Sequence, residues 1–149
     1  MLEAVGLTLG AAAFLLGHGV AIVLYLRNRR ADLSPSQRGL AFVLAVATPL
    51  IAWLLTRDAD VALYAVGLGL MAATAWTSRF PRYRAGIGAV MFVASDLAIF
   101  DGISGSSVLG AAIWPLYFTG QALIALSVVQ TLAAARSGNT GTRTTPRRR

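Results

Sequence analysis

Asp96 lies inside an apolar run of membrane length, Gly88-Ala89-Val90-Met91-Phe92-Val93-Ala94-Ser95-Asp96-Leu97-Ala98-Ile99-Phe100. A charged side chain at the centre of a bilayer span costs about 2.5–3.5 kcal/mol or more. Chains that keep one use it in a pocket, in a proton or ion path, or in a hydrogen bond between helices. Loss of hydration favours the neutral carboxylic acid, and general acid catalysis near neutral pH needs that form. Gly88, Phe92 and Asp96 fall at i, i+4 and i+8, on one helix face. Ser95, beside the acid, can donate to a backbone carbonyl.

His18 is the sole histidine. It shares a face with Phe14 and Tyr25, at i, i+4 and i+11. A buried imidazole of this kind is either a structural bond to a neighbouring helix or a functional group, and the residue type alone favours neither. Near the C-terminus, Trp114, Tyr117 and Gln121 share a face at i, i+3 and i+7. A mid-span glutamine must find a partner, and Asp96 is the candidate. Pro115 frees a carbonyl one turn back. Asp101, next to Gly102, reads as a solvated loop residue.

These side chains need helices to hold them. The chain has 149 residues, is 56% hydrophobic and 13% charged, and has a mean hydropathy of +0.67. That departs strongly from a soluble domain. Five apolar segments follow: Leu2 to Leu26, Gly39 to Leu55, Val61 to Trp76, Ala85 to Phe100, and Val108 to Leu132. None has the polar stripe of helical period that a soluble helix shows. The third and fourth are short for a span of roughly 20 residues, and they draw on flanking residues such as Thr77 and Tyr83 or thin the bilayer. The expected fold is an all-α integral membrane protein, a five-helix transmembrane bundle over 1–135, with a disordered basic tail over 136–149 rich in Gly, Thr, Ser and Arg.

All 13 basic residues are arginines, and the net charge is +7. They sit between apolar runs, so they set topology and do not imply nucleic-acid binding. Arg27, Arg29, Arg30 and Arg38 fill the first connection, Arg79, Arg82 and Arg84 the third, and five arginines from Arg136 onward the tail. Arg57, beside Asp58 and Asp60, stands alone on the other side. The excess puts the first and third connections and the C-terminus in the cytoplasm and the N-terminus outside. No cysteine is present, which excludes disulfides and thiolate sites. One histidine cannot build a multi-histidine metal site, and no metal or other cofactor is expected.

Gly6, Gly10, Ala13 and Gly17 form a small-residue stripe on the first helix. The expected role is close helix packing, within the chain or in a homo-oligomer. The second and third helices have no mid-span charge and read as packing elements, with Trp53, Trp76 and Tyr83 as interfacial anchors. At 1.5 Å per residue, His18 lies about 10 Å deeper than Asp96. A direct bond between them is therefore not expected. An elongated polar cleft lined by Asp96, Tyr117, Gln121, His18 and Tyr25 is, with room for a single-chain lipid.

Three stretches together resemble the YhhN-like lysoplasmalogenase family of multipass membrane proteins. Gly10-Ala11-Ala12-Ala13-Phe14-Leu15-Leu16-Gly17-His18, followed by Tyr25, is similar to its G-x-x-x-F-x-x-x-H segment. Gly88 to Asp96 is similar to its G-A-x-x-F-x-x-S-D segment, and Tyr117 to Ile124 to its Y-x-x-x-Q-x-L-I segment. The resemblance implies hydrolysis of the vinyl ether bond of lysoplasmalogen to a fatty aldehyde and a glycerophospho-base, in a bacterial cytoplasmic membrane. It implies Asp96 and His18 as catalytic residues, and Tyr25, Ser95, Tyr117 and Gln121 against the lysophospholipid. The family's early G-D pair, which would supply a second carboxylate, has no counterpart here. Two origins stay open: Met1 is an internal methionine of a longer reading frame, or the chain is a shortened relative. The competing expectation is a non-catalytic multipass protein that binds lipid or a partner protein. A small proton-coupled transporter is disfavoured, since neither a second buried acid nor an inverted repeat is visible.

Overall fold

The computed structural model describes residues 2–103 and 109–141, with side chains over 9–102 and 109–137. Five helices long and apolar enough to cross a membrane make up the described chain: α1 (Leu2–Arg27), α2 (Pro35–Thr56), α3 (Ala59–Thr77), α4 (Ile87–Ile103) and α5 (Gly110–Gly141). Among the described residues there is no strand, and the one β-bridge is isolated.

Local chemistry sets the boundaries of α2 and α3. Ser34 caps α2 by accepting from the Gln37 amide at 3.3 Å, and the Gln37 side chain accepts from the Ser34 amide at 3.0 Å. This reciprocal box satisfies two donors that the first turn would leave unpaired, and Pro35 supplies a preset first turn. Arg57, with φ 55°, closes α2 by donating its amide to the Trp53 carbonyl. The Asp58 carboxylate caps α3 by accepting from the Asp60 amide at 2.8 Å. Two residues thus turn the chain back on itself.

Thr77 and Tyr83, which flank the two short apolar segments, both lie in helical structure. Thr77 ends α3, and Tyr83 sits in a π-turn over Arg82–Gly86 that runs straight into α4. The fourth span consequently starts earlier and ends later than its apolar run. The last helix differs too. It continues through Gly141, past the start of the expected tail at 136, because Ala133-Ala134-Ala135 are strong helix formers and the Ser137 hydroxyl donates to the Ala133 carbonyl at 3.0 Å. The rest of that tail lies outside the described residues.

Successive helices alternate in direction. The link between α1 and α2 is stitched to the link between α3 and α4: Arg29 bridges Ser78, the Arg30 amide donates to the Thr77 carbonyl at 3.2 Å, and the Arg79 amide donates to Asn28 at 2.8 Å. Arg84 meets Gln130 of α5 at the same end. The arginines of both links therefore share one end of the bundle, and Arg57 lies at the other.

Helix α3 is central. It packs against α1, α2 and α4, and α4 packs against α5. Leu68, Met71, Ala72, Ala75, Phe92 and Val93 form much of the buried core. Glycines permit the closest approaches. A Cβ on Gly69 would sit 2.8 Å from the Leu44 carbonyl oxygen of α2, and one on Gly88 would sit 2.7 Å from that of Gly120 on α5. Helix α1 is different, for among the described residues it packs its backbone against α3 alone. Gly10 and Gly17 have no atom within 4 Å of a would-be Cβ. At Gly10 and Gly17 the small-residue stripe, expected to draw helices together, does not do so within this chain; Gly6 lies outside the residues whose side chains are described.

Candidate functional site

The gap between α1 and α5 holds a cavity of about 410 Å³. Ala13, Phe14, Gly17, His18, Ala21 and Tyr25 of α1 line one side, and Gln121 and Ile124 of α5 the other. Met71 of α3 and Phe92 of α4 complete the wall. Gly17 removes volume where a side chain would narrow the gap. The lining is largely apolar, with His18, Tyr25 and Gln121 as its polar members. This departs from the polar cleft expected from the sequence.

His18 is buried at 5% exposure, clamped edge-on against Phe92 and Tyr64 with ring centroids 5.6 Å apart in both cases. Its Nε2 lies 3.2 Å from the Tyr64 hydroxyl. That hydroxyl donates to Oδ2 of Asp96 at 3.1 Å. Asp96 is 6% exposed. Three helices thus contribute one group each to a continuous line: His18 from α1, Tyr64 from α3 and Asp96 from α4. Tyr64 is itself held edge-on against Phe100, at 6.1 Å.

The absence of a direct His18–Asp96 bond agrees with the expectation, but the separation in depth does not. Both groups reach one phenol oxygen. Asp96 is seven residues from the end of α4 at Ile103, whereas the apolar run placed it four residues from an end at Phe100. Side-chain reach closes the remaining distance. Gln121 is not the partner of Asp96; Tyr64 is. Asp96 stands behind the wall that His18 presents to the cavity.

The other expected site residues divide. Tyr25 is buried at 1% exposure, packs edge-on against Phe80 at 5.9 Å, and lines the end of the cavity nearer the arginines. Gln121 lines the cavity from α5. Tyr117 packs on Phe92 at 5.4 Å and on Phe14 at 6.5 Å, both of which line the cavity. Ser95 is fully buried, donates to the Phe92 carbonyl at 2.8 Å, and has its hydroxyl against Asp96.

From the sequence, α3 reads as a packing helix and Tyr64 does not stand out. A signal was present. A phenol inside an apolar span needs a hydrogen-bond partner, and Tyr64 is five residues into its helix.

The arrangement can do acid–base chemistry. An apolar hollow admits an alkyl chain, and a line of three proton-carrying groups ends at its wall. The chain belongs to the YhhN family, whose model matches residues 1–128. No curated protein and no solved structure matches it.

Proposed function

We propose that this YhhN-family chain is a multipass membrane hydrolase that cleaves the vinyl ether bond of lysoplasmalogen, releasing a fatty aldehyde and a glycerophospho-base. Its location would be the bacterial cytoplasmic membrane, with the arginine-bearing end in the cytoplasm. The observation that carries the reading is the His18–Tyr64–Asp96 line ending at an apolar cavity. Family membership is consistent with it.

A vinyl ether breaks after protonation at carbon. Water captures the resulting oxocarbenium ion, and the hemiacetal falls apart. The reaction needs a proton donor beside an alkyl-binding surface, a group to accept a proton from water, and negative charge near the cation. His18 meets the substrate, and Asp96 supplies the charge from behind. Phe14, Ala21 and Ile124 would hold the chain. Gln121 and Tyr25 offer hydrogen bonds to the glycerol end.

A non-catalytic lipid-binding protein is the second reading. It is favoured by the absence, among the described residues, of a second carboxylate bonded into this line. One experiment separates the two: fatty-aldehyde release from a lysoplasmalogen by the purified chain, beside His18→Gln and Asp96→Asn. Release lost in both variants supports the hydrolase. No release from the unaltered chain, with lysoplasmalogen still bound, moves the function to lipid binding.

A further inference from the structure

We infer that Tyr64 passes protons between Asp96 and His18, so that one imidazole serves as both acid and base. The inference rests on the vinyl ether reading above.

Tyr64 has one hydroxyl proton and two partners, Oδ2 of Asp96 at 3.1 Å and Nε2 of His18 at 3.2 Å. It donates to one of them, and the other must donate to it. Two arrangements with a neutral imidazole satisfy all three groups, and the second keeps the Tyr64-to-Asp96 direction seen in the structure. In the first, protonated Asp96 donates to Tyr64, Tyr64 donates to Nε2, and the imidazole keeps its proton on Nδ1. In the second, Nε2–H donates to Tyr64, Tyr64 donates to the Asp96 carboxylate, and Nδ1 carries a lone pair. Moving each proton one place along the line converts the first arrangement into the second and expels the Nδ1 proton. Nε2 is engaged with Tyr64, so Nδ1 is the ring nitrogen left for a molecule in the cavity.

The reaction then balances without a second carboxylate. The Nδ1 proton adds to the vinyl carbon remote from the ether oxygen, and the oxygen lone pair forms the oxocarbenium ion. Asp96 has passed its proton to Tyr64, Tyr64 has passed its own to Nε2, and the carboxylate left behind offsets the new cation. Water adds to the carbon bearing the oxygen and gives its proton to Nδ1. The Nε2 proton returns to Tyr64 and the Tyr64 proton to Asp96. The hemiacetal breaks its bond to the glycerol oxygen as its hydroxyl proton moves to that leaving oxygen. One water is consumed, and the line is restored. Asp96 lies behind the cavity wall, so Tyr64 and His18 are its route to substrate. Tyr64 is a positioning residue in this scheme; the substrate never touches it.

The sole histidine makes the test clean. Nitrogen-15 NMR of the histidine-labelled chain in lipid nanodiscs reports the His18 tautomer directly, in the unaltered chain and in Tyr64→Phe. The expected result is one locked tautomer in the former and a mixture in the latter. In the same variant, kcat for aldehyde release should fall about 100-fold while KM stays within about twofold. Identical tautomer populations with release intact overturn the relay and leave the hydrolase reading standing. No release from the unaltered chain overturns the vinyl ether reading, and the relay's chemistry with it. Should Tyr64→Phe misfold, the unaltered chain decides: rate plotted against deuterium fraction curves when several protons move together, and a straight line overturns the relay.

Discussion

Gly88 and Gly120 face each other across α4 and α5, each carbonyl oxygen 2.7 Å from where the other residue's Cβ would be. Gly10, Gly17 and Gly19 on α1 have no atom within 4 Å of that position. On the first side, glycine lets two backbones close up. On the second, Gly17 lines the cavity, and Gly10 and Gly19 face open space. A stripe of small residues looks the same in both places, and its partner, or lack of one, decides what it does.

The largest break in this comparison should come from Gly120→Ala. Its methyl would meet the Gly88 carbonyl oxygen at 2.7 Å and the Phe92 amide nitrogen at 3.1 Å. Backbone atoms cannot step aside as a side-chain tip can, so α4 and α5 must part. We expect a loss of about 1–3 kcal/mol, visible as a lower denaturant midpoint for unfolding in detergent. An unchanged midpoint would mean that the two helices are not held by this contact.

Gly17→Leu should act the other way round. The new side chain extends into the cavity beside His18, from a Cβ that has no atom within 4 Å. Stability should stay within about 0.5 kcal/mol, while KM for lysoplasmalogen rises about tenfold, some 1.4 kcal/mol of lost binding. Unaltered KM would detach the cavity from the substrate. The smallest effect belongs to Gly19→Ala, which faces open space. We expect no loss of stability or of aldehyde release, and helix propensity adds up to about 1 kcal/mol in its favour. A clear destabilisation would show that α1 packs on something beyond this chain's own helices.

Much of this fold is legible from residues alone. Long apolar runs separated by short polar links specify five helices, because run length and link polarity are local properties. The start of α4 is less legible. Arg82 and Arg84 break the apolar run, yet the π-turn they occupy belongs to the same helical rod. His18 and Asp96 draw notice as ionisable groups inside apolar segments. Tyr64 does not, since tyrosine is amphipathic and common near span ends. That one phenol joins both groups is a property of three packed helices, and no spacing within one helix encodes it.

The two-residue turn at Arg57 and Asp58 has a consequence for the order of assembly. Contacts close in sequence form ahead of distant ones because short loops cost less entropy to close. Helices α2 and α3 therefore pair first and present Tyr64 early. His18 arrives when α1 docks on α3, and Asp96 when α4 does. A chain arrested partway through folding holds a tyrosine with nothing to bond to, and the His18–Tyr64–Asp96 line is complete only when the last of the three helices takes its place.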